Sequence, residues 1–357
     1  MTAIPIYFVS LGMVILDELR LPNGDVRYDC IGGSGAYSTL GARLATPPKD
    51  AENIGMFILG GHDFPDEIRE LLRSWNIAVH ADLDKKKEST RGLLEYHDEA
   101  FGRKSFRYVT KPLQPTPRCL PPHFISSSSF HLLLPPEGVI AQVKELLHLR
   151  KENGVRYEAQ QQPLLVWEPF PGRCFKEHLE AHIASCREVH VFSPNHLELL
   201  ALCDKPTVPF DPGVVKECAD TVYQASMTEQ LKSPQSPHPR AVVVRAGEHG
   251  CLVVSDKVCV WLPPLLDPAN VVDATGGGNT FLGAFTIALQ RSGDLLEAAI
   301  QGSVAASFAI EQIGFPERTL NSGSGVKDNN ERWNNSSVTG RMTQYRRRIA
   351  KKLQNSG

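Results

Sequence analysis

Val271-Val272-Asp273-Ala274-Thr275-Gly276-Gly277-Gly278-Asn279-Thr280-Phe281-Leu282-Gly283-Ala284-Phe285 is the stretch that decides how the rest of the chain is read. Three consecutive glycines precede a run of helix character, Phe281 to Leu289. Backbone without Cβ can turn sharply and aim several N–H groups at one point. The start of the following helix adds its partial positive charge. Together they make a cradle for a phosphate that gains negative charge during transfer. A tight turn with close packing is the plainer reading of the same residues. The segment is not a Walker loop, because no Gly-Lys-Ser/Thr follows, and it lies too late in the chain for a dinucleotide fingerprint.

Outward from this bend, strand-like and helix-like stretches alternate. Ile6 to Ile15, Asn53 to Leu59, Phe130 to Leu134, Leu164 to Trp167, Glu188 to Phe192 and Ala241 to Arg245 read as strands. Ser34 to Leu44, Phe64 to Trp75, Glu137 to Arg150, Phe175 to Ala184 and His196 to Leu202 read as helices. The alternation predicts an α/β fold: a mainly parallel sheet between two helical layers. Two segments break the pattern. Residues 16–31 carry Asn23-Gly24 between strand-like arms, a hairpin signal, and residues 90–109 read as two strands around Ala100-Phe101-Gly102. Together they predict a small separate sheet, either a lid or an edge decoration. Ser233 to Pro239 reads as a Pro/Ser-rich loop. Residues 318–357 lose the pattern and end in a basic run with Arg341, Arg346, Arg347, Arg348, Lys351 and Lys352. They read as a polar tail outside a domain spanning 1–317, with room for a short C-terminal helix.

Composition narrows the function classes. The 357 residues are 41% hydrophobic and 22% charged, with 38 Lys+Arg against 40 Asp+Glu, a formal net charge of -2. That balance excludes a disordered chain or a rod, and it provides no global field toward nucleic acid or an anionic membrane. Nucleic acid contact is left to the basic tail. No apolar run approaches the ~20 residues of a membrane-spanning helix. Met1 to Tyr7 shows no positively charged leader, and the 8 cysteines lack CxxC or zinc spacing. A cytoplasmic or nuclear protein with reduced thiols is expected.

At Asp273 to Asn279 the chain resembles the C-terminal signature D-T-x-G-A-G-D of the pfkB, or ribokinase-like, carbohydrate kinases. Three further segments agree in type and order. Gly32-Gly33-Ser34-Gly35-Ala36 is similar to the family's glycine pair after the first lid hairpin, Asn195-His196-Leu197-Glu198 to its N-x-x-E motif, and Gly247-Glu248-His249-Gly250 to its G-x-x-G nucleotide loop. The likeness covers about residues 6–315. It implies a three-layer α/β/α ribokinase-like fold with a small β-sheet lid. It also implies transfer of the ATP γ-phosphoryl to a hydroxyl of a sugar, nucleoside or polyol, with Mg²⁺.

By position, Gly276, Gly277 and Gly278 would form the anion hole, and Asn195 and Glu198 would organise Mg²⁺ through water. Gly247 and Gly250, with Arg245 just before them, would lie against the nucleotide. Asp17, with Gly32 and Gly33 nearby, falls where the family places substrate hydroxyls; an ionised carboxylate accepts several hydrogen bonds from a polyol. Glu168 reads either as a Mg²⁺ helper or as a loop cap. Lid edges of this architecture can pair two subunits into a homodimer.

Two residues depart from the family pattern. The family's catalytic base is the last Asp of the signature; here it is Asn279, and an amide accepts no proton at neutral pH. General base catalysis is typically worth ~10²–10⁴ in rate. Ala274 replaces the signature's Thr, which puts a monovalent-cation site near Asp273 in doubt. The implied activity is therefore a slow phosphotransferase, with a nucleotide- or sugar-binding pseudokinase acting through protein or RNA partners as the alternative. The GGGN form is similar to that of fungal pfkB-like proteins linked to maintenance of a killer double-stranded RNA virus, which points to a fungal source.

Overall fold

A computed structural model describes residues 4–98, 103–155, 162–227, 237–320 and 331–354. In chain order the elements are β1 (Phe8–Ser10), β2 (Ile15–Arg20), β3 (Val26–Gly32), α1 (Ser34–Leu44), β4 (Ile54–Gly61), α2 (Asp66–Ser74), β5 (Ala78–Asp84), β6 (Arg91–Tyr96), β7 (Lys104–Tyr108), α3 (Pro122–Ile125), β8 (Ser129–Leu134), α4 (Pro136–Glu152), β9 (Leu164–Pro169), α5 (Leu179–Cys186), β10 (Val191–Phe192), α6 (His196–Leu202), α7 (Pro212–Ser226), β11 (Ala241–Arg245), β12 (Cys251–Val254), β13 (Cys259–Leu262), α8 (Gly277–Ser292), α9 (Leu295–Ala309), β14 (Arg318–Leu320), β15 (Glu331–Trp333) and α10 (Val338–Gln354).

The main sheet has nine strands in the order β13-β12-β11-β10-β9-β8-β1-β4-β5. It is parallel from β11 to β5, and β12 and β13 close one edge antiparallel. Its central strands are apolar on both faces, as a sheet covered on both sides requires, whereas the edge strand β5 carries His80, Asp82 and Asp84. Phe8 joins the core built with α1, α8 and α9, whereas its neighbour Val9 joins the core built with α4, α6 and α7. A four-stranded sheet, β3-β2-β6-β7, stands apart as the lid, with Val26, Tyr28 and Phe106 exposed on it. In such a fold, ligands bind beyond the carboxyl ends of the parallel strands.

Several sequence expectations change. The apolar run Ile6 to Ile15 is not one strand: β1 stops at Ser10, the chain crosses over Leu11 to Val14, and β2 starts the lid. Both halves are buried, so hydrophobicity alone cannot mark the break. The Glu188 to Phe192 strand shortens to Val191–Phe192, and the Phe175 to Ala184 helix starts at Leu179 after a 3-10 turn. Residues 233–236 of the Pro/Ser loop and the 100–102 turn lie outside the described residues.

The largest difference is at the C-terminus. Where a solvating tail was expected, β14 pairs with β15 and α10 packs on α9. Trp333 is fully buried with its ring 5.6 Å from Trp75, and Tyr345 is fully buried with its hydroxyl donating to the Pro263 carbonyl. Three of the basic residues bind the domain itself. Arg341 pairs with Glu311 at 2.7 Å and stacks 3.8 Å over Phe308. Arg346 reaches both oxygens of Glu297, and Arg348 donates to the Leu265 carbonyl. Among the described residues, no helix is long and apolar enough to cross a membrane.

Candidate functional site

The first turn of α8 starts where the glycines predicted it. Gly276 is the residue before the helix, in the left-handed region at φ 78°, and a Cβ there would collide with the Tyr37 ring. No side chain caps the turn; the Gly277 N–H meets the Ala274 carbonyl at 3.3 Å, and the remaining N–H groups before Thr280 are left for a ligand. Beside it opens a cavity of about 440 Å³, lined by Arg245, Gly247, Gly250, Gly277, Gly278 and Phe281 among others. Four of the sequence-chosen positions thus share one wall with Arg245, and the nearby lining is mostly apolar, as a purine site requires.

On the sheet side of the cradle, the strands deliver a buried polar cluster. Arg245 ends β11; its Nη1 lies 2.8 Å from Glu168 Oε1 and its Nη2 donates to the Ser193 carbonyl at 3.0 Å. Glu168, near the end of β9, accepts from the Asn279 side-chain amide through Oε2, and His131 Nε2 lies 3.3 Å from the same oxygen. His131 Nδ1 in turn meets the hydroxyls of Ser10 and Ser38. Burial alone would raise the Glu168 carboxyl, but Arg245 and His131 outweigh it and hold it below its ordinary value. Glu168 is thus a fixed anion.

Asn195 and Glu198 form a capping box at the start of α6: the Asn195 side chain accepts from the Glu198 N–H, and Glu198 Oε2 accepts from the Asn195 N–H at 2.7 Å. Arg245 Nη2 lies 3.8 Å from the same carboxylate. Burial pushes the Glu198 carboxyl up to about 7, against the opposing pull of Arg245 and the Asn195 N–H.

A hydrated Mg²⁺ ion needs ionised oxygens free to face its waters. Here Glu168 spends its oxygens on Arg245 and Asn279, and Glu198 gives one to a backbone N–H beside the same guanidinium. A cation already stands between the two carboxylates, so these residues do not fit the ion. Among the described residues, no group of three or more His, Cys, Asp or Glu is placed to hold a metal.

Asp273, between the cavity-lining Val272 and Ala274, turns its carboxylate toward the lid. It accepts from the Tyr96 hydroxyl at 2.6 Å, from Lys104 Nζ at 3.0 Å and from the Thr275 hydroxyl at 2.7 Å. Burial raises its carboxyl, yet these donors prevail and keep it low. The ammonium of Lys104 thus occupies the flank of Asp273 where a monovalent cation was in doubt. Tyr96 belongs to β6 and Lys104 to β7, so this pair of contacts fastens the lid to the glycine bend.

Asp17 lies on β2, at the lid's root. Its carboxylate is wedged between Gly32 and Gly92, where a Cβ at either would collide with it. Its Oδ1 is buried without a partner, and burial pushes the carboxyl up to about 7. Gly33 serves the backbone instead: it precedes α1 at φ 87°. Tyr37 of α1 connects the two halves, packed against Gly276 and feeling the charges of both Asp273 and Asp17.

The arrangement offers backbone N–H groups for an anion, an apolar cavity on one side and, across Tyr37, an unsatisfied carboxylate under a latched lid. Sequence reading missed His131, Tyr96 and Lys104. A lone His in an apolar strand and two residues inside a lid hairpin carry no local pattern.

Comparison with known proteins identifies the family and the fold. Residues 32–318 match the pfkB family carbohydrate kinase domain. An uncharacterised protein of Schizosaccharomyces pombe is 30% identical over 355 residues, covering 95% of this chain and 92% of its own length. Protein MAK32 of Saccharomyces cerevisiae is 26% identical over 335 residues, covering 86% of this chain and 85% of its own. The solved structure of a putative ribokinase II from E. coli, in complex with ATP and Mg²⁺, superposes with a TM-score of 0.65 at 14% identity, covering 96% of this chain and 99% of that one. The fold is ribokinase-like, and the chain belongs to the pfkB family of carbohydrate kinases.

Proposed function

We propose that this chain binds ATP with its phosphates over Gly276–Asn279 and passes the terminal phosphoryl, slowly, to a hydroxyl of a sugar, nucleoside or polyol held at Asp17. The carrying observation is the uncapped first turn of α8, with an apolar cavity on one side and the buried, unpartnered Asp17 Oδ1 on the other. Gly276 and Gly278 stabilise the charge of the transferring group through their N–H groups, and Gly277, whose N–H meets the Ala274 carbonyl, completes the bend. Asp17 accepts hydrogen bonds from the acceptor's other hydroxyls and fixes its orientation. The acceptor oxygen forms the new P–O bond as the bond to ADP breaks. Its proton leaves late, to the phosphoryl oxygens or to solvent, since the Asn279 amide cannot take it. A loose transition state tolerates this, because positioning and charge stabilisation carry most of the catalysis.

One observation favours the second reading, a nucleotide-binding pseudokinase: the Asn279 amide is already held by Glu168, which Arg245 and His131 hold as an anion. Transfer from γ-labelled ATP to a broad acceptor panel separates the two. Labelled product from the wild type establishes the kinase; thermal stabilisation by ATP with no product from either wild type or Asn279→Asp establishes the binder. Exposed Val26, Tyr28 and Phe106 on the lid support a lid-paired homodimer.

A further inference from the structure

We propose that Arg245 supplies the cation for the nucleotide's phosphates in this chain, so that ATP binds without a divalent metal. The inference rests on the cradle reading of α8 and adds to it the absence of a metal requirement.

Three observations carry it. First, the guanidinium is fixed on two sides, by Glu168 Oε1 at 2.8 Å and by the Ser193 carbonyl at 3.0 Å, and its backbone is tied to Pro194 through an N–H bond of 3.1 Å. It is a preformed part of the site and pays little ordering entropy on binding. Second, it stands against the anion-binding turn. Its Nη1 is so close to Gly278 that a Cβ there would collide with it, and the two residues line the same cavity. Third, donors remain. A guanidinium offers five N–H groups. Glu168 takes one from Nη1 and Ser193 one from Nη2, which leaves a second N–H on each terminal nitrogen for a ligand, while Nε is buried.

A phosphate resting on the first turn of α8 therefore lies within reach of a planar, permanently charged donor that suits two-point phosphate binding. A Mg²⁺ ion organised by Glu168 and Glu198 would instead have to share that space with the guanidinium, at the cost of like-charge repulsion. Glu168 has the complementary duty: it anchors Arg245 with one oxygen and holds the Asn279 amide with the other. The cluster is charge-compensated as it stands, with neither the metal nor the carboxylate base of the family pattern.

The test is calorimetric titration of ATP into the purified full chain, once in EDTA and once in excess MgCl₂. The wild type is expected to give dissociation constants that agree within about two-fold. Arg245→Ala should weaken binding by roughly ten-fold or more in EDTA, the size of a lost charge-assisted hydrogen bond. It should recover most of that loss in MgCl₂, because Glu168 and Glu198 are then free to face a hydrated ion. Arg245→Lys keeps the charge and the fold and should fall between the two. Wild-type binding that is about ten-fold tighter with Mg²⁺ than in EDTA overturns the inference and leaves the cradle reading standing. Arg245→Lys binding as tightly as wild type in EDTA, with Arg245→Ala folded and equally tight, also overturns it. No wild-type binding in either buffer overturns the cradle reading together with it.

Discussion

At residue 279 one atom's identity separates the two readings. Asn279→Asp places a carboxylate where the family keeps its base, and a gain in transfer rate of about 10²-fold is expected. The gain should carry a pH dependence. The new carboxylate faces Glu168, and two carboxylates in one place push one of their pKa values up. Rate should therefore rise through the neutral range before levelling, in a profile measured from pH 5 to 9. The variant's stability relative to wild type should fall over the same range, since a carboxyl raised in the folded state loses stability as pH rises through its folded value. Asp17 tells a parallel story. Its carboxyl moves from the usual 3.8 to about 7 through burial. Its contribution is fully present below pH 3.8 and is lost as pH approaches 7. Asp17→Asn should thus melt higher than wild type at pH 8 and lose that advantage at pH 4. Acceptor affinity should drop by roughly ten-fold or more, the cost of losing a charged acceptor. Thermal melts at the two pH values, with acceptor titration, check both.

Among the elements, the start of α8 is the least tolerant of change. Gly276→Ala adds a Cβ at a left-handed position and against the Tyr37 ring, so about 1–3 kcal/mol of stability should go, together with nucleotide binding. Chemical denaturation with ATP titration would show both losses together; retention of full ATP affinity would exclude the bend as the phosphate cradle. Helix α10 is the element whose role was hidden. Tyr345→Ala removes a fully buried ring and its bond to Pro263, with an expected cost of about 3–5 kcal/mol. A tail that merely solvates the domain would show no change. Pro263 leads directly into Pro264 and Leu265, which line the cavity, so the same variant should also weaken ATP binding.

For the molecule as a whole, alternation of apolar runs was enough to place the buried parallel strands from β4 and β8 to β11 and to separate the lid, because strands buried on both faces are written as continuous hydrophobic stretches; the edge strand β5, with His80, Asp82 and Asp84 along it, carries no such run and was missed. Helices α1 and α6 and strand β11 match their sequence ranges residue for residue. What was not legible depends on contacts between residues far apart in sequence. Trp333 and Tyr345 lie in polar surroundings, and nothing local shows that Trp75 and Pro263 will bury them. Arg245 ends β11 and Glu168 is next to last in β9, and only the order of strands in the sheet brings them together around Asn279. The glycine bend was legible because its chemistry is local: one positive φ and the N–H groups of one turn. The most direct measurement of the account is calorimetric titration of ATP into wild type and Gly278→Val side by side, where a valine side chain would push the Arg245 guanidinium away from α8 and cover the first turn. Saturable one-to-one binding by the wild type, weakened at least about thirty-fold in a folded Gly278→Val, is predicted; equal affinity of the two proteins, or no binding by the wild type, contradicts it.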